Sequence, residues 1–88
     1  MKFRQDFRVF ESQYPHIALL QLEREPTNPY DPRAIKVIAE IQGTEMHIGY
    51  IPKNENRDID PQIIGSWLEV TPIRCTPTLW KFRVESDS

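Results

Sequence analysis

Hydrophobic positions along the chain form short runs broken by polar residues, which is typical of β-strands. Residues 7–10 form one such run, and residues 16–22, "HIALLQL", form another directly after Pro15. Residues 34–41, "AIKVIAEI", alternate with a period of two, so that four apolar side chains share one face: Ile35, Val37, Ala39 and Ile41. Because successive side chains of a strand point to opposite sides, this pattern predicts a strand with one buried face.

The next segments predict a hairpin, a helix and two further strands. Residues 42–45, "QGTE", contain the glycine that a hairpin turn favours, and residues 46–51 form the returning strand, in which Gly49 indicates a bulge or a close approach. Asp60 and Pro61 suit the cap and the first position of a helix within residues 58–70. Four apolar residues follow there at helical spacing: Ile63, Ile64, Trp67 and Leu68. Residues 70–75 and 79–85 complete the strands.

The number of short strands sets the fold class. We expect a mainly β protein with one or two short helices, folded as a small barrel, with Trp67 and Trp80 in its core. With 88 residues and 39% hydrophobic content, the chain can enclose one modest core, so residues 1–88 are predicted to form a single domain.

The net charge and the cysteine content indicate which partners and which cellular compartment suit the protein. The formal charge of −2 argues against an extended basic surface for nucleic acid, although it allows a small local site. Cys75 is the single cysteine, so no internal disulfide can form and a reducing compartment is expected. The sequence contains no run of eighteen apolar residues, which predicts a cytoplasmic protein without membrane contact.

Catalytic and metal chemistry find little support in the sequence. His16 and His47 lack neighbouring ligands at metal-binding spacing. No serine or cysteine stands in a nucleophile motif, and the three glycines, Gly43, Gly49 and Gly65, form no phosphate-binding fingerprint. We therefore expect no catalytic residue, no metal and no cofactor, and an enzyme is the least favoured class.

The segment "NPYDPRA", residues 28–34, holds an aromatic residue and a carboxylate between two prolines. Each proline fixes its own φ and restricts the residue before it, so Asn28 and Asp31 have few backbone conformations. One interpretation is a rigid turn, with both residues bonding nearby backbone groups and Tyr30 half buried. The other is a binding loop whose stiffness lowers the entropy lost when a ligand binds.

The residues around this loop and after the hairpin form a pattern of two blocks. The chain reads "LEREPTNPYDPRAIKV" and then, after the hairpin, "IGYIPK". This pattern resembles the HIRAN domain. The matching positions are Arg24, Glu25, Pro26, Asn28, Pro29, Tyr30, Asp31, Ala34, Ile35, Val37, Gly49, Tyr50 and Lys53. The resemblance implies an OB-like β-barrel with a pocket for the 3′ end of single-stranded DNA.

The resemblance also implies roles for individual residues. A tyrosine matching Tyr30 stacks on the terminal base, and an aspartate matching Asp31 accepts a hydrogen bond from the 3′-hydroxyl. Arg8 and Lys53 match basic positions near backbone phosphates. Asn28 belongs to the matched loop, Tyr50 lines the pocket, and Phe10 follows Val9, which stands where relatives carry a second aromatic residue. The predicted DNA-binding set is therefore Arg8, Phe10, Asn28, Tyr30, Asp31, Tyr50 and Lys53.

Two functions remain in competition at this point. The first is a non-catalytic module that binds single-stranded DNA 3′ ends in repair, replication or phage DNA processing, with a helicase, nuclease or replication protein as its partner. The second is a protein-interaction adapter that keeps the fold without the DNA pocket. Whether Phe10 can reach a pocket facing Tyr30 distinguishes them.

Overall fold

Strands dominate the secondary structure of the computed structural model, which describes residues 3–10, 17, 19–75 and 79–86. The six strands are β1 (Phe3–Phe10), β2 (Leu19–Arg24), β3 (Ile35–Ile41), β4 (Thr44–Tyr50), β5 (Trp67–Cys75) and β6 (Leu79–Ser86). Two short 3-10 turns, Asn56–Asp58 and Pro61–Ile63, separate β4 from β5. The predicted mainly β class is confirmed. The strand predicted to begin at His16 has its described part at Leu19–Arg24, and His16 itself lies outside the described residues.

The strands form one antiparallel sheet in the order β1-β6-β5-β2-β3-β4. Strand β5 joins the two halves, because its first residues pair with β2 and the rest pair with β6. Its register shifts between Pro72 and Arg74, which is the kind of irregularity that bends a strand. The edge strands β1 and β4 approach each other with Cα atoms within 8 Å. The sheet therefore curls into an open, OB-like barrel without a β1–β4 hydrogen-bond ladder among the described residues.

The core lies on the inner face of this curled sheet. Alternate residues of each strand point inward, as Phe7 and Val9 do on β1 and Trp80, Phe82 and Val84 do on β6. Full burial of such a side chain contributes about 1.5–3 kcal/mol to folding. The largest fully buried side chains are Phe7, Phe82, Leu20, Leu22, Ile35, Val9 and Val37.

The β3–β4 hairpin has the predicted turn and bulge. Gln42 and Gly43 both adopt positive φ, at 52° and 80°, which is the backbone of a two-residue hairpin turn. Val37 pairs with Gly49 whereas Ile38 pairs with His47, so Ile48 is the extra residue of a bulge beside Gly49. The bulge buries Ile48 and leaves Tyr50 at the end of β4, next to the proline loop.

The helix predicted within residues 58–70 is wrong. Asp60 does cap a turn, since its carboxylate accepts from the Gln62 backbone at 2.9 Å, but this 3-10 turn ends at Ile63. Gly65 then has φ 90°, outside the helical region, and β5 begins at Trp67. Leu68 and Val70 alternate with exposed neighbours and pair with β2 and β6. Pairing with two neighbouring strands therefore determines the conformation of this segment, although its apolar residues also have helical spacing.

This correction also changes the environment of one tryptophan. Trp80 is 8% exposed and belongs to the core, as predicted, whereas Trp67 is 40% exposed on the outer face of β5. The core prediction for Trp67 is wrong, because it assumed a helix that would turn the ring inward. No helix among the described residues has the length and hydropathy required to cross a membrane.

Candidate nucleic-acid interface

The proline loop between β2 and β3 is ordered by one asparagine. The Asn28 side-chain oxygen accepts from the backbone nitrogens of Tyr30 at 2.9 Å and Asp31 at 3.0 Å. Asparagine readily forms such turns because its short side chain mimics a backbone acceptor. The backbone of the two predicted ligand-binding residues is thus fixed by Asn28 as well as by the prolines.

Glu25 connects the base of this loop to β4 through hydrogen bonds. Its backbone nitrogen donates to the carbonyl of Ala34 at 2.9 Å, which closes the loop. Its carboxylate accepts from the amide of Asn28 at 2.8 Å and from the hydroxyl of Tyr50 at 3.1 Å. Partial burial raises the pKa of the Tyr50 phenol, and the bond to Glu25 raises it further. The His47 ring packs edge-on against the Tyr50 ring at a centroid distance of 4.9 Å.

The Asp31 carboxylate is held at both oxygens. One oxygen accepts from the backbone nitrogen of Arg33 at 2.9 Å, and the other accepts from the side-chain amide of Asn56 at 2.8 Å. Asn56 is only 3% exposed and lies in the first 3-10 turn, so it is a rigid donor. A carboxylate has about four lone-pair sites. Asp31 is therefore oriented by the protein and still has acceptor capacity for a ligand.

Tyr30 contrasts with these fixed groups, because its side chain is 89% exposed. It cannot be the half-buried core residue of the rigid-turn interpretation. Its ring borders an open pocket of about 600 Å³, and an exposed π-face is available to stack on a ligand. The remaining lining residues are Glu25, Asn28, Pro29, Asp31, Ala34, Tyr50, Ile51, Pro52 and Lys53.

The two predicted cations have different environments. Lys53 is exposed at the pocket and has no ion pair in the part of the chain that the structure describes. The Arg8 guanidinium, by contrast, donates through Nε to Glu55 at 2.6 Å and also forms an ion pair with that carboxylate. The hydrogen bond and the negative charge of Glu55 raise the pKa of Arg8. Any phosphate that approaches Arg8 therefore meets a guanidinium already paired with an acid.

The structure brings most of the predicted site residues together. Five of the seven line the same pocket: Asn28, Tyr30, Asp31, Tyr50 and Lys53. Arg8 lies outside that lining, and Glu55 connects it to the Pro52 backbone at the pocket rim through a 2.9 Å hydrogen bond. The backbone of Phe10 pairs with Leu79, but its side chain lies outside the described part of the structure.

Three residues join the site that are not among the seven predicted DNA-binding residues: Glu25, Glu55 and Asn56. Glu25 matches the family pattern and stands three residues before Asn28, within reach of a local side-chain bond, so it could have been included in the predicted set. Asn56 lies 25 residues from Asp31, and Glu55 lies 47 residues from Arg8. No local signal in one sequence identifies contacts of that separation. The described residues contain no group of three or more metal-ligating side chains that could hold an ion.

Comparison with known proteins identifies a family. The sequence model described as the HIRAN domain matches residues 6–71, which is three quarters of the chain. Searches of curated proteins and of solved structures return no significant match. The matched segment contains most of β1, all of β2 to β4, the proline loop, both 3-10 turns and the beginning of β5, whereas β6 lies beyond it.

Proposed function

This chain belongs to the HIRAN domain family, whose members are known as DNA-binding modules, and we propose that it is a non-catalytic module that binds the 3′-hydroxyl end of single-stranded DNA. The proposal includes residues 1–88 as one HIRAN domain, a cytoplasmic location, and a role in repair, replication or phage DNA processing. A helicase, nuclease or replication protein is the partner class such a targeting module would serve.

A single observation carries the proposal: an exposed aromatic ring stands next to a carboxylate that the protein holds in place. Tyr30 is 89% exposed, while the Asp31 carboxylate is oriented by Asn56 and by the Arg33 backbone. A residue that only forms a turn does not need a buried amide from another element to orient its carboxylate. Preorganisation of this kind reduces the entropy lost on binding.

The chemistry of these two groups suits a strand end. A base of any identity offers a π-face, so stacking on Tyr30 contributes about 1–3 kcal/mol without sequence preference. The ionised carboxylate of Asp31 accepts hydrogen bonds only, so it pairs with a terminal hydroxyl and repels a phosphate at the same position. Lys53 lies at the same pocket as a counter-charge for the adjoining phosphate. The pair would therefore recognise a free end and not a sequence.

The decisive experiment combines two proteins with two DNA ends. The native chain and Asp31→Asn are titrated with one labelled oligonucleotide that ends in either a 3′-hydroxyl or a 3′-phosphate. Loss of a hydrogen bond to a charged group costs about 1.5–3 kcal/mol, so the native protein should prefer the hydroxyl end by at least about tenfold. In the variant the repulsion disappears, and the preference should shrink even though the hydroxyl end binds more weakly. The coupling in this cycle measures the contact directly.

Closed circular DNA of the same composition provides the matched ligand without an end. It should compete poorly with the linear oligonucleotide at moderate salt. If the circle competes equally, or if the hydroxyl preference survives unchanged in Asp31→Asn, Asp31 does not recognise the end. Absence of DNA binding altogether would favour the adapter alternative, in which the same fold presents its surface to a protein.

A further inference from the structure

A row of three cations crosses the outer face of the β1-β6-β5 half of the sheet. Arg8 on β1 pairs with Lys81 on β6, and Lys81 pairs in turn with Arg74 on β5. Residues directly opposite each other in antiparallel strands project from the same face, about 4.5–5.5 Å apart at Cβ. The three side chains and Leu79 line one cavity of about 330 Å³. We refer to Arg8, Lys81 and Arg74 as the cationic row.

This arrangement is unfavourable for the protein alone. Like charges directly opposite each other destabilise a sheet, and the cationic row contains two such pairs in succession. Glu55 neutralises Arg8 at one end. Lys81 and Arg74 have no ion pair among the residues that the structure describes. The charge of Lys81 does act on the Asp6 carboxylate of β1, but Asp6 forms its ion pair with Arg83. An anion bound in the cavity would relieve this repulsion, which is what a phosphate-binding surface requires.

The cationic row is connected to the end-binding pocket through two neighbouring residues. Glu55 contacts Arg8 of the row, while the next residue, Asn56, contacts Asp31 of the pocket. Consecutive Cα atoms are about 3.8 Å apart, so the two surfaces adjoin along this segment. A strand whose end occupies the Tyr30 pocket can therefore continue onto the outer face of β1.

We propose that the cationic row binds the backbone phosphates of the nucleotides that precede the strand end, extending the site from one end pocket to a short path. This inference rests on the proposed function. Neighbouring strands lie about 4.8 Å apart, so a row across three strands spans about 10 Å. Phosphates of one stacked strand lie about 3.4 Å apart along the axis, which allows two or three of them to contact the row. Lys81 and Arg74 lie beyond the matched residues 6–71, so membership of the family does not assign them this role.

The test measures how DNA binding depends on salt and on oligonucleotide length. The double variant Lys81→Gln/Arg74→Gln and the native chain are titrated with hydroxyl-ended oligonucleotides of about three and about twelve nucleotides, the longer matching the site size of OB folds. Each phosphate neutralised on a single strand contributes about 0.7 to the slope of log affinity against log salt. The double variant should therefore lose about 1.4 from the slope with the longer oligonucleotide and little with the shorter.

Lys36→Gln is the matched control. Lys36 is a cation of the other half of the sheet, where it pairs with Glu23, so its removal should leave the slope unchanged. A melting curve for each variant establishes that the fold is intact. If the double variant keeps the native slope on the longer oligonucleotide, or loses no more than the control does, the proposal is overturned.

The two proposals fail in different ways. Loss of the phosphate path alone leaves the hydroxyl preference of the short oligonucleotide intact and makes affinity independent of length. Failure of end recognition instead abolishes that preference in the native chain. The double variant is also compared with the native chain for binding to an acidic peptide. If it loses that binding and keeps the native salt slope for DNA, the cationic row binds a protein and the inference is wrong.

Discussion

At the residue level, Tyr30 and Asp31 are neighbours that the protein treats differently. Hydrogen bonds from Arg33 and Asn56 fix the Asp31 carboxylate, whereas Tyr30 is fixed at its backbone by Asn28 and left exposed at its ring. A fixed acceptor gives discrimination, because it cannot turn away from an unsuitable group. An exposed ring contributes affinity, because its apolar surface becomes buried only when a base stacks on it.

Replacing Tyr30 with alanine should therefore weaken DNA binding without affecting the fold. We expect Tyr30→Ala to lose about 1–3 kcal/mol of binding free energy, the usual contribution of base stacking. The melting temperature should barely change, since substitutions at exposed positions usually shift stability by less than about 0.5 kcal/mol. Tyr30→Phe keeps the ring and should bind like the native chain. A variant that mainly lowers the melting temperature would show that the ring supports the fold.

At the level of elements, the first 3-10 turn links the loop to the sheet. Glu55 and Asn56 are adjacent, yet one bonds to β1 and the other to the proline loop. The Arg8 guanidinium has five N–H donors, and only some of them are used on Glu55, so it can still donate to a phosphate. The carboxylate of Glu55, however, cancels the charge that would attract that phosphate.

Removal of this acid should strengthen DNA binding. In Glu55→Gln, Arg8 keeps a neutral acceptor while its charge becomes available, so we expect a severalfold higher affinity and a salt slope larger by about 0.7. The measurement is a titration with the longer oligonucleotide at several salt concentrations. Glu45→Gln on β4 removes the same charge elsewhere on the molecule and serves as the control. An equal gain in both variants would mean that only net charge matters and that Arg8 touches no phosphate.

At the level of the whole molecule, β6 is integral to the barrel although it lies beyond the matched family segment. It pairs with β1 on one side and with β5 on the other, so without it β1 has no neighbour in the sheet order. Strand β6 also contributes three side chains to the core: Trp80, Phe82 and Val84. On its outer face, Arg83 donates to Asp6 of β1 at 2.8 Å, and this hydrogen bond lowers the pKa of the Asp6 carboxyl.

Deletion of residues 79–88 should therefore prevent folding. Burial of three large apolar side chains contributes about 4.5–9 kcal/mol, taking about 1.5–3 kcal/mol for each. Small domains are stable by only about 5–15 kcal/mol in total. Circular dichroism of the shortened chain should show no cooperative thermal transition, while deletion of residues 87–88 alone should preserve it. A cooperative transition in the chain ending at residue 78 would contradict the role assigned to β6.

Features that depend on near neighbours in the chain follow from the amino-acid sequence. The alternation in residues 34–41 identified β3, and the glycine of "QGTE" identified the hairpin turn. Asp60 was correctly identified as a cap, and the prolines around Tyr30 indicated a rigid loop. These features depend on backbone sterics and side-chain periodicity. Both act over a few residues, so they can be predicted from the sequence. The same local order of residues carried the family resemblance.

Features that depend on pairing between distant residues are set by the tertiary fold. Residues 67–70 suit a helix by spacing, but hydrogen bonds to β2 and β6 make them a strand and expose Trp67. Residues far apart in sequence also meet in the hydrogen bond from Asn56 to Asp31 and in the cationic row. Sequence periodicity gives the faces of each strand but does not specify which strand lies beside it. The register between strands, fixed by the packing of the shared core, determines which charges become neighbours.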